Sequence, residues 1–440
     1  MSQQSSKNVT FCVQPGGRLQ GHARVPGDKS ISHRSIMLGA LAEGQTRISG
    51  FLQGEDSLAT LKAFQAMGVN IEGPDNGHVS VFGVGMHGLQ KPEGDLYLGN
   101  SGTSMRLMCG LLAGQAFDSV LTGDKSLSGR PMRRVIDPLT RMQANISSTD
   151  NSTAPLHIKG HQTLKGIEYT LPVASAQVKS CLLLAGLYAQ GKTCVTEPAP
   201  TRDHTERMLQ GFGYKVERQG SQVCLQGGGR LQATSIDIPA DISSAAFFMV
   251  AACIAPGSDL TLEHVGINPT RTGVIDILKL MGASIEILNP REVGGEPVAD
   301  IRIQSCQLKG IEIPEALVPL AIDEFPVLFI AATCAEGRTV LTGARELRVK
   351  ESDRIQVMAD GLEIMGIRTE VTEDGIIIDS GELQGGTVVS HGDHRISMSF
   401  AIAALRCQKP VIIEDCANVD TSFPGFVELA RSLGLSISTL

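Results

Sequence analysis

The chain has 440 residues, 42% hydrophobic and 19% charged, with only 4% aromatic residues, no Trp and a net charge of −8. That length suggests two to four domains. The composition is globular rather than disordered, and the acidic balance excludes a global electrostatic footprint for nucleic acid. With so few aromatics, the core has to be built from Leu, Ile, Val, Ala and Met. No apolar run reaches the ~18 residues of a membrane span, and the amino-terminal MSQQSSKNVTF carries no apolar signal core, so a soluble, cytoplasmic protein is expected. The ten Cys form no CxxC pair and no metal-ligand spacing. Cys109, Cys181, Cys253 and Cys334 sit in apolar runs and are expected to be buried free thiols, which implies a reducing compartment.

Taken in chain order, one unit recurs about every 70 residues. Six segments that are apolar nearly all round predict six buried helices: ISHRSIMLGALAEG from Ile31, SMRLMCGLLAGQ from Ser104, AQVKSCLLLAGLYAQG from Ala176, SSAAFFMVAACIAPG from Ser243, EFPVLFIAATCAEG from Glu324 and RISMSFAIAALRCQ from Arg395. A turn such as EGQT, QGKT, PGSD or EGRT follows, then a strand such as TRISGF, TCVTEP, LTLEHV, TVLTG or VIIED. Next comes an amphipathic helix ending near Gly, as in SLATLKAFQAMG, RDHTERMLQGFG, RTGVIDILKLMG, SDRIQVMADGLEIMG and PGFVELARSLG, where Gly fits a helix C-cap. The counterpart RVIDPLTRMQA lacks that Gly. A further strand closes each unit (VNIEG, YKVERQ, ASIEIL, IRTEV, LSIST). One unit cannot cover an all-apolar helix. Three units with helices inside and sheets outside can, so six units predict an α/β protein of two such domains with a cleft between them. The chain is expected to cross near Val25-Pro26-Gly27 and Ile238-Pro239-Ala240-Asp241.

The residues that open the buried helices are polar: Gly27-Asp28-Lys29-Ser30, Gly99-Asn100-Ser101-Gly102-Thr103, Ala174-Ser175-Ala176-Gln177, Ala240-Asp241-Ile242-Ser243, Ile322-Asp323-Glu324 and Gly392-Asp393-His394-Arg395. Any one of them alone is a helix cap. Six in register aim the positive, amide-bearing ends of six helices out of the core and make an anion trap. Lys29, Arg34, Arg106, Arg130, Arg202, Lys350, Arg354 and Arg395 lie at or near those ends; a lone Arg is usually a surface ion pair, but Arg forks also bind phosphate and carboxylate. This number of cations suits a pair of substrates with about two phosphates and two carboxylates. Asp323 opens a buried helix and Glu351 lies between Lys350 and Arg354. Carboxylates among cations stay ionised and can act as bases, and one facing a substrate carboxylate can act as an acid.

Two apparent nucleotide motifs fail on context. Gly186 to Thr193 fits the P-loop pattern, but it ends an apolar helix and enters a strand, the reverse of a P-loop, and its repeat counterparts are plain turns. Gly83 to Gly88 fits G-x-G-x-x-G, but no helix follows it.

At PGDKSISHR from Pro26, LGNSGTSMR from Leu98, GRPM from Gly129, ASAQVKS from Ala174, RDHTE from Arg202, NPTRTG from Asn268, IDEFP from Ile322, LRVKESDR from Leu347, GDHRISM from Gly392 and TSFP from Thr421, the chain resembles the 5-enolpyruvylshikimate-3-phosphate synthases along its whole length. It is nearer to the branch that carries ASAQVKS and RDHTE. The resemblance implies a two-domain inside-out α/β barrel of six βαβαββ units. One domain takes 1–26 plus 241–440 and carries Asp323, Glu351, Arg354 and Arg395; the other takes 27–240; they close over the substrates. It implies transfer of the enolpyruvyl group of phosphoenolpyruvate to the 5-hydroxyl of shikimate 3-phosphate through a tetrahedral ketal. Lys29, Ser30, Arg34, Ser175, Ala176, Gln177, Arg202, Asp323 and Lys350 would hold shikimate 3-phosphate. Lys29, Asn100, Gly102, Arg130, Gln177, Arg354 and Arg395 would hold phosphoenolpyruvate, with Asp323, Glu351 and Lys29 as the acid–base set. It further implies a monomer that requires no metal or organic cofactor, with a monovalent cation as a possible activator. Two positions depart from the family pattern: Thr421-Ser422-Phe423-Pro424 has no Lys where many members place one against phosphoenolpyruvate, and Leu107 stands where many have Pro. Gly102 leaves the phosphoenolpyruvate pocket without a methyl group, which implies sensitivity to glyphosate. UDP-N-acetylglucosamine enolpyruvyl transferases share the fold but carry a Cys before their Arg-Pro, and GDKSLSGRPM has none. A non-catalytic repeat scaffold is the other alternative, and the presence of Lys29, Asp323 and Glu351 argues against it.

Overall fold

A computed structural model describes residues 9–440; most of the amino-terminal stretch lacking a signal core, and the first eight residues of the 1–26 segment, lie outside the described residues. The six apolar segments form helices Lys29–Leu41, Gly102–Ala113, Ala176–Gly186, Ile242–Ile254, Phe325–Thr333 and His394–Ala403. Nearly all their residues are buried, and in Ile242–Ile254 every one is. Apolarity around the whole circumference is what an inner helix needs, because it meets protein on every side.

The chain divides into two compact units. One comprises residues 1–26, 239–291 and 297–440; the other comprises 27–238 and 292–296. Each has its own hydrophobic core and three of the inner helices. The crossing falls between Ile238 and Pro239, two residues before the position expected after Ala240. The hairpin tip 292–296 belongs with the 27–238 unit, because Glu296 bonds His204 Nδ1 at 2.8 Å and Gly295 O accepts from Arg207 Nη1 at 3.0 Å.

Among the described residues each unit carries three small sheets. A recurring element is a strand, an inner helix, then a strand parallel to the first. Leu96–Tyr97 pairs with Ser119–Thr122, Glu168–Thr170 with Lys192–Thr196, and Gly386–Val389 with Val411–Glu414 in this way. At the two crossings the pattern is exchanged. Gln20–Ala23, which precedes the Lys29 helix, pairs with Asp259–Gly266 of the 239–440 portion, and Ser235–Asp237, which precedes the Ile242 helix, pairs with Ala42–Ser49. Each unit therefore completes its sheet with a strand from the far side of a crossing.

The outer helices end as the Gly pattern predicts: Gly68, Gly213, Gly282, Gly366 and Gly434 all have positive φ just past a helix end. In the unit without that Gly, Gln143 takes the left-handed conformation at φ 71° after the Arg133–Arg141 helix. The geometry is imposed by the fold even where the favoured residue is missing.

Cys109, Cys181 and Cys253 are buried free thiols, and Cys334 is free but half-buried. Cys194 and Cys224 form a disulfide, which the sequence reading did not foresee. The register of Lys192–Thr196 against Gln222–Gln226 sets the two opposite each other, and Cys spacing along the chain carries no information on register. Among the described residues no helix is long and apolar enough to cross a membrane.

Candidate active site

In the 27–238 unit three inner-helix N-termini carry side-chain caps: Asp28 accepts from Ile31 N at 2.8 Å, Ser101 from Ser104 N at 3.1 Å and Ser175 from Val178 N at 3.4 Å. Lys29 forms an ion pair with Asp56, in the first turn of the Glu55–Ala66 helix. The other sequence-predicted residues of this unit fall into two groups.

The first group surrounds the start of the Gly102–Ala113 helix. Arg130 Nη2 donates to Asn100 Oδ1 at 2.6 Å, and Asn100 Nδ2 donates to Asp124 Oδ2 at 2.7 Å. Arg106 Nη1 donates to Gln177 Oε1 at 2.7 Å, and Gln177 Nε2 donates to Thr103 Oγ1 at 2.9 Å. A Cβ at Gly102 would stand 3.0 Å from Arg106 Nη1 and 3.1 Å from Arg130 Nη1. Gly102 thus lies between two guanidinium groups at the amide end of a helix, an arrangement suited to a small anion.

The second group centres on Arg34. The resemblance implies a substrate-binding fork, yet Arg34 is buried, with Nε donating to Thr205 Oγ1 at 2.7 Å, Nη1 to Ser30 O at 2.9 Å and Nη2 to Ser180 Oγ at 3.0 Å. Three of its five N–H groups therefore hold protein. Burial, aided by the nearby Arg202 and opposed by Glu206 and Asp28, lowers its pKa to about 10. Beside it, His33 is fully buried and held neutral by burial and by Lys29 and Arg34. Its Nδ1 lies 2.8 Å from Thr60 Oγ1 and 3.1 Å from Ser104 Oγ, which ties the Lys29 helix to the start of the Gly102 helix. Arg202 is half-buried, one residue before Asp203, the N-cap of His204–Gly211.

In the 239–440 portion, Asp323, Lys350, Glu351, Arg354 and Arg395 form one cluster. Arg354 is 1% exposed. Its Nη2 donates to Glu351 Oε2 at 2.6 Å, its Nε to Asp393 Oδ2 at 2.8 Å and its Nη1 to Asp323 Oδ1 at 3.3 Å. Burial opposes the charge on Arg354, but Asp393, Glu351 and Asp323 outweigh it and hold the pKa above the ordinary value. Lys350 Nζ is 3.3 Å from Asp323 Oδ1, and Arg395 Nη1 donates to Asp323 O at 2.7 Å. Two placements differ from the sequence reading. The Phe325 helix has Glu324, not Asp323, at its N-cap and no side-chain cap, and the helix after Glu351 opens at Arg354 with Asp353 as its cap. Both carboxylates therefore stand ahead of the helices rather than at their N-cap positions.

Asp393 is the member that sequence reasoning treated only as a cap. It does cap His394–Ala403, accepting from Arg395 N at 3.0 Å, and it also anchors Arg354. The only signal available was an Asp next to a basic pair in GDHR. At the departure from the family pattern, Thr421 Oγ1 donates to Asn418 O at 2.7 Å, and Asn418 Nδ2 donates to Gly392 O at 2.5 Å. Where many members carry a Lys, this chain makes a local loop contact.

The family profile described as EPSP synthase (3-phosphoshikimate 1-carboxyvinyltransferase) matches residues 13–429. The 3-phosphoshikimate 1-carboxyvinyltransferase of Alkalilimnicola ehrlichii is 70% identical, over 98% of this chain and 97% of its own length. The protein of that name from Methylococcus capsulatus is also 70% identical, over 98% of this chain and 99% of its own. A solved EPSP synthase from Acinetobacter baumannii superposes with a TM-score of 0.90 at 61% identity, covering 98% of this chain and all of that one. The enolpyruvyl transferase NikO from Streptomyces tendae superposes at 0.81 with 17% identity over 98% of this chain and 99% of its own, a likeness of fold alone.

Proposed function

The chain belongs to the EPSP synthase family, and from that premise we propose that it transfers the enolpyruvyl group of phosphoenolpyruvate to the 5-hydroxyl of shikimate 3-phosphate. The products are 5-enolpyruvylshikimate 3-phosphate and phosphate, on the route to chorismate and the aromatic amino acids. The observation that carries the residue-level reading is Arg354, buried and bonded to both Asp323 and Glu351. It keeps two carboxylates oriented at the amide ends of the helices that would receive an anionic reactant.

In this reading Lys29, Ser30, Arg34, Ser175, Ala176, Gln177 and Arg202 hold shikimate 3-phosphate, with Asp323 and Lys350 on its hydroxyls. Arg34 also fixes Ser30 and bonds Ser180 and Thr205, on the helices that follow Ser175 and Arg202. Lys29, Asn100, Gly102, Arg130, Gln177, Arg354 and Arg395 hold phosphoenolpyruvate. The 5-oxygen bonds to C2 of phosphoenolpyruvate as its proton passes to a base and C3 takes up a proton, giving a ketal. The C2–O bond to phosphate then breaks and the C3 methyl returns a proton. Asp323, Glu351 and Lys29 share these transfers. Guanidinium and helix-amide groups fixed in advance stabilise the charge moving onto the leaving phosphate. No electron changes hands, so the chemistry calls for no redox cofactor; a monovalent cation acts as an activator rather than a reactant. Eight free thiols against one disulfide support a cytoplasmic location, and the enzyme acts as a monomer.

A coupled phosphate-release assay tests the activity. Release that requires both phosphoenolpyruvate and shikimate 3-phosphate is expected. Release with UDP-N-acetylglucosamine as acceptor, or none with either, would overturn it.

A further inference from the structure

Lys179 lies in the middle of an apolar helix and is 0% exposed. Its Nζ stands 2.8 Å from Glu197 Oε1 and 2.7 Å from Glu206 Oε1, and donates to Thr201 O at 3.5 Å. Thr201 Oγ1 in turn donates to Glu197, and Arg218 Nη2 reaches Glu197 Oε2 at 3.3 Å. This ion cluster joins the Ala176–Gly186 helix, the end of the Lys192–Thr196 strand and the His204–Gly211 helix.

We propose that Lys179, held between Glu197 and Glu206, is a positioning residue that sets the substrate-facing segments Ser175–Gln177 and Thr201–Arg202 for shikimate 3-phosphate. The proposal rests on the substrate assignment above. Being fully buried, Lys179 cannot touch a ligand, but it is placed to act on both segments at once. Ser175, the N-cap, is four residues before it on the same helix face. Arg202 directly follows Thr201, whose carbonyl Lys179 bonds, and sits four residues before Glu206. A second set of contacts ties the same helices, with Thr205 Oγ1 donating to Ser180 Oγ at 2.7 Å and Arg34 bonding both.

Stability alone does not account for the cluster. An apolar side chain of Lys179's volume, with neutral partners, is generally as stable as a buried ion group or more so. Glu206 is a particular case: it is buried, with Oε1 2.7 Å from Lys179 Nζ. Burial outweighs the attraction of Lys179 and raises its pKa. The fold thus carries a charge it disfavours, at the joint between two substrate-binding segments. What an ion cluster supplies and an apolar plug does not is a fixed direction for each element it joins.

The test compares Glu206→Gln, which keeps the shape and an acceptor oxygen, with Lys179→Met and with Arg202→Ala, by steady-state kinetics and thermal unfolding of the full chain. Glu206→Gln should raise KM for shikimate 3-phosphate about tenfold or more, since misplacement of a binding group by a fraction of an ångström to 1 Å has effects of that order. KM for phosphoenolpyruvate should stay within about twofold, while the unfolding temperature falls because Lys179 keeps Glu197 alone as a carboxylate partner; the split between the two KM values, not the stability loss, marks the positioning role. Lys179→Met, where it folds, should show the same split more strongly. If Glu206→Gln shifts neither KM, or shifts both equally, the positioning role is wrong whatever Lys179→Met does. If Arg202→Ala leaves KM for shikimate 3-phosphate unchanged, the fault lies instead with the substrate assignment.

Discussion

Asp393→Asn separates the two duties of a single buried carboxylate. Asp393 is 0% exposed and accepts from Arg354 Nε at 2.8 Å and Nη2 at 3.3 Å, from Ser352 Oγ at 3.0 Å and from Arg395 N at 3.0 Å. Asn caps a helix about as well as Asp, so the contact to Arg395 N survives and the loss isolates the charge. A unit charge pair near 4 Å at an effective dielectric of 20 is worth about 4 kcal/mol, and breaking a buried pair costs about 3–5 kcal/mol. Glu351 and Asp323 remain beside Arg354, so the lower end, about 3 kcal/mol, is expected. With a urea slope of about 3 kcal/mol/M, the midpoint of the affected transition falls by about 1 M. Ser352→Ala, which removes one hydroxyl contact, should cost about 1 kcal/mol. Burial pushes the Asp393 pKa up, but Arg354 more than compensates and holds it below the usual carboxylate range. A lowered carboxyl pKa gives stability that is present above the unfolded value of about 3.9 and is lost as pH falls through the folded value. The difference between wild type and Asp393→Asn should therefore be constant from pH 8 to 6. A loss under about 1 kcal/mol, or one that fades across that range, would refute the assignment of Asp393 as the charge anchor of Arg354.

Gln143→Gly should stabilise the 27–238 unit by about 0.5–1 kcal/mol in chemical denaturation, because Gln143 sits at φ 71° where Gly carries no Cβ penalty; a destabilised variant would contradict the strain argument. Gly102→Ala puts a methyl 3.0–3.1 Å from the Arg106 and Arg130 guanidiniums. Losing one charge-assisted contact, about 1.5–3 kcal/mol, should raise KM for phosphoenolpyruvate about 10–100-fold and weaken inhibition by glyphosate. A wild-type inhibition curve flat to millimolar glyphosate would count against that pocket. Asp323→Asn and Glu351→Gln should each remove one limb of the bell-shaped kcat–pH profile. The variant that loses the acidic limb identifies the base, and identical profiles would show that neither acts alone.

The repeat was legible because an inner helix must be apolar all round and a left-handed helix end favours Gly, and both leave marks at fixed intervals. The Gly186–Thr193 decoy was dismissed on the same ground, and the structure places that segment between an inner helix and its following strand. What escaped was set by contacts distant in sequence. Lys179 sits in an apolar run, where nothing local signals that Glu197 and Glu206 come to meet it. The bonds of Arg34 to Thr205 and Ser180, which arrive from other helices, are likewise not announced by its own helix position. The Cys194–Cys224 bond and the allegiance of residues 292–296 depend on strand register and hairpin reach. Asp393 was visible as a cap, while its role toward Arg354 needed the turn after Lys350 to be folded against it.

Lys29, Arg130, Arg354 and Arg395 are expected to hold a single pair of anions. A crystal structure with shikimate 3-phosphate and glyphosate bound together addresses this directly. Lys29, Arg130, Arg354 and Arg395 should each lie within about 3.2 Å of an oxygen of that ligand pair. Ligands bound by one unit alone, with Arg354 and Arg395 remote from both, would contradict it.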